Sequence, residues 1–190
     1  MEIEKRSVMV APELRATDGE KRTIAGYAAV FNSDADIGGY FREIIAPGAF
    51  AETLKDADVR ALVDHDSGRV IGRVKAGTLR LQEDDRGLAV EIDLPDTTDG
   101  RDLAELVGRG DIDGMSFGFV VRHDEWDETV DPPTRTIRAV DLREVSAVTW
   151  PAYADTSLAM RSRGHVEEKA KKVSSYFLRK AQMAHKVRGI

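Results

Sequence analysis

Short runs of β-branched, aromatic and aliphatic residues recur along this chain at regular spacing, and turn-forming residues separate them. Clear cases are TIAGYAAVF at 23–31 and GLAVEIDL at 87–94, where apolar residues fall near alternating positions. There are about eight such runs, whereas helical spacing of apolar residues is found after Pro47, at 98–109 and near the C-terminus. The pattern predicts a mainly β protein with a few helices, an α+β fold built as a barrel or sandwich rather than as a doubly wound sheet.

Two polar stretches are predicted to be loops. Residues 32–40 (NSDADIGGY) are rich in Gly and Asp, and residues 123–134 contain a Pro-Pro pair. A strand at 115–122 precedes the second loop, and one or two strands follow it over 135–150.

The length and composition fit one soluble domain with an appended segment. The 190 residues include no cysteine, which excludes disulfides, thiolate metal sites and cysteine nucleophiles. No apolar run approaches the roughly 20 residues that a membrane helix needs. The first 14 residues alternate polar and apolar residues and contain no continuous apolar h-region, so we predict no signal peptide and a cytoplasmic site of action.

Charge is distributed unevenly along the sequence. Residues 162–190 carry eight Lys or Arg and two Glu, a sum of +6, so the remaining 161 residues sum to -12 within the total of -6. Apolar residues at 166–187 follow helical spacing, and the Ser-Arg-Gly at 162–164 is typical of a linker. We therefore predict a main domain at 1–161 and a separable, basic, helical tail at 162–190. The acidic main domain is not expected to bind nucleic acid through bulk charge.

His65 lies in ALVDHDSGRVIGR at 61–73, directly after an apolar strand and before a Ser-Gly turn. A histidine at a strand end is rigidly held and still accessible, which suits a general base, since the ordinary histidine pKa of about 6.5 allows proton uptake at neutral pH. The alternative is a surface histidine in a polar turn, a common place for this residue type. Metal binding by Asp64, His65 and Asp66 together is disfavoured, because neighbouring strand residues point to opposite faces.

Ser116 lies between Gly114 and Gly118 in the apolar strand of GDIDGMSFGF at 110–119. Small neighbours allow a substrate backbone to approach closely, and a nucleophilic serine needs that access together with a base and oxyanion donors. A serine in a strand is more often a small filler residue, so the nucleophile hypothesis depends on support from other residues.

Glu144 interrupts the apolar run VDLREVSAV at 140–148. A carboxylate between apolar neighbours is costly to bury unless it is paired. One interpretation is an outward-facing residue that pairs with an arginine such as Arg143. The other is an acid that orients His65 and stabilises its imidazolium. Asp66, at the turn beside the histidine, is the main competitor for that role.

Five stretches, taken in their order along the chain, resemble the prohead proteases of tailed bacteriophages. They are FREIIAPGAF at 41–50, ALVDHDSGRVIGR at 61–73, GLAVEIDLPDT at 87–97, GDIDGMSFGF at 110–119 and LREVSAVTWPAY at 142–153. The resemblance implies a serine endopeptidase related to the herpesvirus assembly proteases, with a closed β-barrel ringed by short helices. It implies that His65 is the catalytic histidine and Ser116 the catalytic serine, with no cofactor or metal.

The third catalytic residue departs from the herpesvirus pattern, in which a second histidine follows the serine. Here the histidines after Ser116 are His123, in a charged stretch, and His165 and His185, in the tail. None of them lies on an apolar strand, so we assign the orienting role to Glu144.

The resemblance also implies a biological role. Such an endopeptidase is enclosed in the procapsid in the host bacterial cytoplasm, cleaves the scaffolding segment from the phage major capsid protein, and then cleaves itself. One alternative is a non-catalytic capsid assembly module on the same fold, and the matching contexts of His65 and Ser116 argue against it. Another is a nucleic-acid-binding protein that acts through 162–190, which the lack of interleaved aromatic and basic residues disfavours. No membrane partner is expected.

Overall fold

The computed structural model describes residues 3–8, 10–16 and 22–150 of the chain. Within these residues there are two α-helices, α1 (Thr53–Asp56) and α2 (Thr98–Arg109), one 3-10 turn (Val74–Ala76) and eleven strands. The strands are β1 (Glu4–Val8), β2 (Glu13–Ala16), β3 (Arg22–Val30), β4 (Ala35–Ile37), β5 (Phe41–Ile45), β6 (Arg60–Val63), β7 (Asp66–Arg73), β8 (Leu79–Glu83), β9 (Gly87–Asp93), β10 (Gly114–Asp127) and β11 (Thr134–Val148). The prediction of a mainly β protein with few helices is confirmed.

Seven strands form the larger sheet, and the long antiparallel strands β10 and β11 form its centre. β1 pairs with the other edge of β10. β11 is 15 residues long and pairs in parallel with two short strands in succession, with β5 near its start and with β6 near its end. β4 extends the sheet beyond β5, and β7 extends it beyond β6. Residues from distant parts of the sequence therefore meet along β10 and β11.

The smaller sheet has four strands in the order β2-β3-β9-β8 and is antiparallel throughout. One cluster of buried apolar side chains takes members from both sheets, including Ile24 and Ile92 from the smaller sheet and Phe117 and Val145 from the larger. Phe117 also contacts Phe50 edge-on, with ring centres 5.5 Å apart. The central strands of the larger sheet are thus anchored by apolar residues on the face that meets the core.

Helix α2 has the expected signals at both ends. The Thr97 side chain accepts a hydrogen bond from the Gly100 N–H at 3.3 Å, and Gly110 ends the helix with a φ of +79°. Leu103 and Val107 are buried on its inner face. The helix has the bounds predicted from the sequence. In the described part of the chain, no helix is both long and apolar enough to span a membrane.

The closed barrel implied by the resemblance is not found among the strands that the structure describes. Closure requires an unbroken hydrogen-bonded ladder around the whole barrel. These strands instead form two separate ladders, and each sheet keeps end strands with a partner on one side only. The predicted helical tail at 162–190, and the domain boundary after residue 161, lie outside the described residues.

Both predicted loops contain strands. In the second, β10 continues to Asp127 and β11 begins at Thr134, so that the connection covers 128–133 alone. The end of β10 and the start of β11 form the two arms of a hairpin. Polar residues in these arms have partners across the ladder, as when Arg135 donates a hydrogen bond to the Asp124 carboxylate at 2.8 Å. In the first, 32–40, the short strand β4 pairs with β5.

Candidate active site

A two-residue turn between β6 and β7 carries His65. The strand register pairs Val63 with Asp66, which leaves Asp64 and His65 as the central residues of the turn. Their φ angles are +49° and +60°, the left-handed conformation that both central positions of a type I′ hairpin turn require. Residues other than glycine seldom adopt this conformation, and such strain is concentrated at functional sites. The sequence predicts a strand end at His65, and the structure shows a tight turn.

The Asp64 side chain ties this turn to the end of β11. Its Oδ1 accepts a hydrogen bond from the Thr149 N–H at 2.8 Å, and its Oδ2 accepts one from the Thr149 hydroxyl at 3.2 Å. The Asp64 N–H donates to the Ala147 carbonyl at 2.9 Å. The backbone position of His65 is therefore fixed relative to the strand that carries Glu144.

His65 and Glu144 are in direct contact. His65 Nδ1 and Glu144 Oε1 are 2.7 Å apart, and only 10% and 12% of the two side chains are exposed. An ionised carboxylate can only accept, so this contact assigns the proton to Nδ1. The other oxygen of Glu144, Oε2, accepts a hydrogen bond from the Ser146 hydroxyl at 2.5 Å. The alternative that Glu144 faces outward beside Arg143 is wrong, since Arg143 contacts Asp141.

Gly118 lies directly opposite Glu144 in the β10–β11 ladder. A Cβ atom placed on Gly118 would lie 2.3 Å from Glu144 Oε1 and 3.1 Å from its Cδ. The bare backbone at this position therefore provides the space that the carboxylate occupies. From the sequence, Gly118 is expected to let a substrate approach Ser116. That it leaves room for the Glu144 carboxylate is seen only in the structure.

Ser116 lies on β10, opposite Ser146 of β11. Because the pairs Ser116–Ser146 and Gly118–Glu144 are two residues apart along the strands, all four residues are on one face of the sheet. Ser116 is fully buried, and its hydroxyl donates to the Arg6 carbonyl of β1 at 2.8 Å. The structure thus brings Ser116 to the face that carries Glu144, with its hydroxyl turned toward β1.

The second ring nitrogen of His65, Nε2, is buried and has no hydrogen-bond partner among the residues that the structure describes. A buried polar atom without a partner is uncommon and costs free energy, so its presence in a folded protein calls for an explanation. With Nδ1 held by Glu144, Nε2 is the ring nitrogen that is left to accept a proton.

Of the other candidates for the orienting role, the structure describes Asp66 and His123, and neither forms a hydrogen bond to His65. Asp66 Oδ1 accepts a hydrogen bond from the Gly68 N–H at 2.8 Å and is exposed. His123 is exposed on the distant arm of β10. His165 and His185 lie outside the residues that the structure describes.

Buried charged residues hold strand β1 beside Ser116. The Arg6 guanidinium bonds Glu43 at 2.6 and 3.0 Å and Glu4 at 2.8 Å, and Arg135 bonds the same two carboxylates at 2.9 to 3.1 Å. Burial acts to raise the pKa of Glu4, but the hydrogen bonds and charges of Arg135 and Arg6 outweigh it and hold that pKa below its ordinary value. The Arg6 carbonyl, which accepts the hydrogen bond from the Ser116 hydroxyl, is thereby fixed in position.

Known proteins match this chain over most of its length. The family model for the caudovirus prohead serine protease matches residues 10–171. The prohead protease of Enterobacteria phage HK97 is 33% identical over 156 residues, which cover 79% of this chain. This chain spans 65% of the length of that relative.

A solved structure shows a related fold. The capsid assembly protease of bacteriophage T4 matches with a TM-score of 0.54 at 11% identity, over 78% of this chain and 98% of that one. At this identity the likeness concerns the fold. The family match, in contrast, extends over most of the sequence and includes His65, Ser116 and Glu144. The chain therefore belongs to the family of caudovirus prohead serine proteases.

Proposed function

We propose that the chain is a serine endopeptidase of prohead maturation, with Ser116 as nucleophile, His65 as general base and Glu144 as the acid that orients His65. The state of the His65 ring carries the proposal. Nδ1 contacts Glu144 at 2.7 Å, while Nε2 is buried and has no hydrogen-bond partner in the described part of the chain. Glu144 and Ser116 lie on one face of the sheet. An imidazole held in this way can take a proton at Nε2, and the carboxylate stabilises the imidazolium that forms.

The reaction begins with a rotation of the Ser116 side chain about χ1. The hydroxyl leaves the Arg6 carbonyl and turns toward His65 Nε2. As Oγ forms a bond to the carbonyl carbon of the scissile peptide, Nε2 takes the hydroxyl proton. His65 then gives this proton to the leaving amine as the C–N bond breaks, and water hydrolyses the acyl-enzyme by the same route. Glu144 keeps the Nδ1 proton in place throughout.

The substrates follow from the family and from the relatives. A prohead protease and a capsid assembly protease are among the matching proteins. The phage major capsid protein is therefore the proposed substrate, with cleavage that releases its scaffolding segment. The enzyme acts inside the procapsid in the host cytoplasm and finally cleaves itself.

A non-catalytic assembly module on the same fold is the second candidate. One observation favours it, namely that the Ser116 hydroxyl is fully buried and bonded to a backbone carbonyl rather than to His65. In such a module Ser116 would be a structural residue that ties β10 to β1.

A phosphonate reagent directed at serine nucleophiles separates the two candidates. We expect a covalent adduct on the peptide that contains Ser116, located by mass spectrometry, and no adduct on the Ser116→Ala protein. A folded wild-type protein that is never labelled would support the assembly module. Co-expression with the capsid protein of the same phage, followed by mass measurement of that protein, then tests the proposed substrate.

A further inference from the structure

The second oxygen of Glu144 has a partner to which the triad assigns no role. Ser146 is fully buried, and its hydroxyl donates to Oε2 while Oε1 meets His65 Nδ1. A buried carboxylate is costly to leave unsatisfied, so donors on both oxygens hold it in one orientation. Ser146 and Glu144 are two residues apart on one strand and point to the same face. The hydroxyl is therefore positioned by the sheet itself.

Strand β10 leaves a space of limited size for the Glu144 carboxylate. Gly118 faces Glu144 across the ladder, and an added Cβ would overlap Oε1 at 2.3 Å. Gly118 does not have a positive φ, so alanine is compatible with its backbone conformation. The requirement for glycine is therefore the volume taken up by Glu144.

We infer that Ser146 and Gly118 are positioning residues for the catalytic base. Ser146 fixes one oxygen of Glu144, and Gly118 leaves room for the other, so that Oε1 stays on His65 Nδ1. The inference rests on the proposed function, in which His65 accepts the proton of Ser116. The hydroxyl proton of Ser146 is directed at Glu144, which fits a support of the carboxylate.

Steady-state kinetics on a fluorogenic peptide provide the first test. For Ser146→Ala we expect kcat to fall by about 10- to 100-fold, the range seen when partners behind a metal-bound ligand are removed. For Gly118→Ala we expect a loss of about a hundredfold, typical of a misplacement of about 1 Å. KM should stay near the wild-type value for both, because neither residue is proposed to bind substrate. Wild-type kcat in both variants would overturn the inference.

Thr23→Val is the matched control. Thr23 is also buried, and its hydroxyl donates to the Asp93 carboxylate at 2.9 Å in the smaller sheet. This variant removes the same kind of bond away from the site, so kcat should be unchanged. If kcat fell equally in Thr23→Val and Ser146→Ala, the loss of activity would be a result of general destabilisation, and the inference would be refuted.

A double-mutant cycle separates positioning from a structural effect. If Ser146 acts through Glu144, Ser146→Ala should cause almost no further loss of kcat in an enzyme that already carries Glu144→Gln. Losses that multiply would show that Ser146 acts independently of Glu144, contrary to the inference.

Proton NMR gives a readout that needs no activity. In the Ser116→Ala protein, the Nδ1 proton shared by His65 and Glu144 should give a far-downfield resonance, assigned by its absence after Glu144→Gln. Adding Ser146→Ala or Gly118→Ala should broaden or shift it, and Thr23→Val should not. An unperturbed resonance in both site variants would overturn the inference. Failure of the proposed function would appear separately, as an enzyme without activity or phosphonate labelling, and labelling at Ser146 in place of Ser116 would overturn both.

Discussion

At the scale of single residues, the proposed mechanism passes one proton from Ser116 to His65, and this determines how their replacement should affect activity. Ser116→Ala should abolish peptide hydrolysis and leave the fold intact, because it removes one hydroxyl. His65→Ala should be as inactive, and the double variant should be little worse, since groups that act as a unit are strongly non-additive. Rates on one fluorogenic peptide, with circular dichroism as a check of folding, measure this. Losses that multiply would show that the two residues are not partners.

Glu144 and Asp66 are distinguished by a pair of amide substitutions. Glu144→Gln should keep the fold and lower kcat by about 10⁴-fold, as for the corresponding acid of a model triad. Asp66→Asn should have only a small effect on kcat, because the Asp66 carboxylate accepts a hydrogen bond from the nearby Gly68 N–H rather than from His65. The measurement is kcat for both enzymes on the same peptide. A nearly normal Glu144→Gln enzyme beside an inactive Asp66→Asn enzyme would reverse the assignment.

The residues proposed for catalysis were found from their sequence contexts, whereas their supporting residues were not. His65, Ser116 and Glu144 each lie in a stretch that resembles one family. The contact of Gly118 with Glu144 depends on the register of β10 against β11, and a slip of one residue in either strand would place the two residues on opposite faces. Register is set by tertiary packing, so this contact is not predictable from one sequence. The contact of Ser146 with Glu144 lies within β11, but it gains a role only because Glu144 also meets the distant His65.

At the scale of elements, the turn between β6 and β7 combines an unfavourable backbone conformation with an anchor. Asp64→Gly relieves the cost of a positive φ but removes both bonds to Thr149. We expect kcat to fall by at least about tenfold in this variant, since loss of a second-layer partner typically costs about 10- to 100-fold. Asp64→Asn tolerates the conformation and still accepts the Thr149 N–H, so it should retain more activity.

Kinetics and thermal unfolding of both variants test the role of this anchor. Asp64→Gly with wild-type kcat would mean that the turn is held without Asp64. A fall in melting temperature without a fall in kcat would likewise assign Asp64 to stability alone.

The hairpin arms of β10 and β11 show why polar strands are hard to recognise. His123, Asp124 and Glu125 are poor strand formers, and the stretch was predicted to be a loop. Across the ladder, however, Arg135 pairs with Asp124 and Trp126 packs on Phe41, with ring centres 5.0 Å apart. Partners that are distant in sequence satisfy these residues, whereas the apolar alternation of β3 and β9 identified those strands directly.

At the scale of the whole molecule, the buried ions around β1 predict a loss of stability in acid. The pKa of Glu4 is below its ordinary value of 4.5 in the folded protein. Its stabilising contribution is therefore complete above pH 4.5 and is lost as the pH falls through the lower, folded-state pKa. Glu4→Gln should be less stable than wild type at neutral pH and should lose less stability than wild type as the pH is lowered below 4.5.

Thermal unfolding as a function of pH measures this difference. Glu13→Gln is the control, because the Glu13 side chain is 76% exposed and its contact with Arg15 is long, at 3.7 Å. It should follow the wild-type curve. Parallel curves for Glu4→Gln and wild type would contradict the assignment of acid sensitivity to Glu4.

The order in which the strands leave the ribosome has a consequence for the timing of activity. His65 and Glu144 are 79 residues apart in sequence, and Glu144 lies in β11, the last of the described strands. At a synthesis rate of about 5–20 residues per second, the histidine precedes its carboxylate by a delay on the order of ten seconds. A nascent chain without β11 also lacks the strand on which β5, β6 and β10 assemble. On the proposed assignment, a ribosome-bound chain cannot cut itself or its neighbours until this strand has been made.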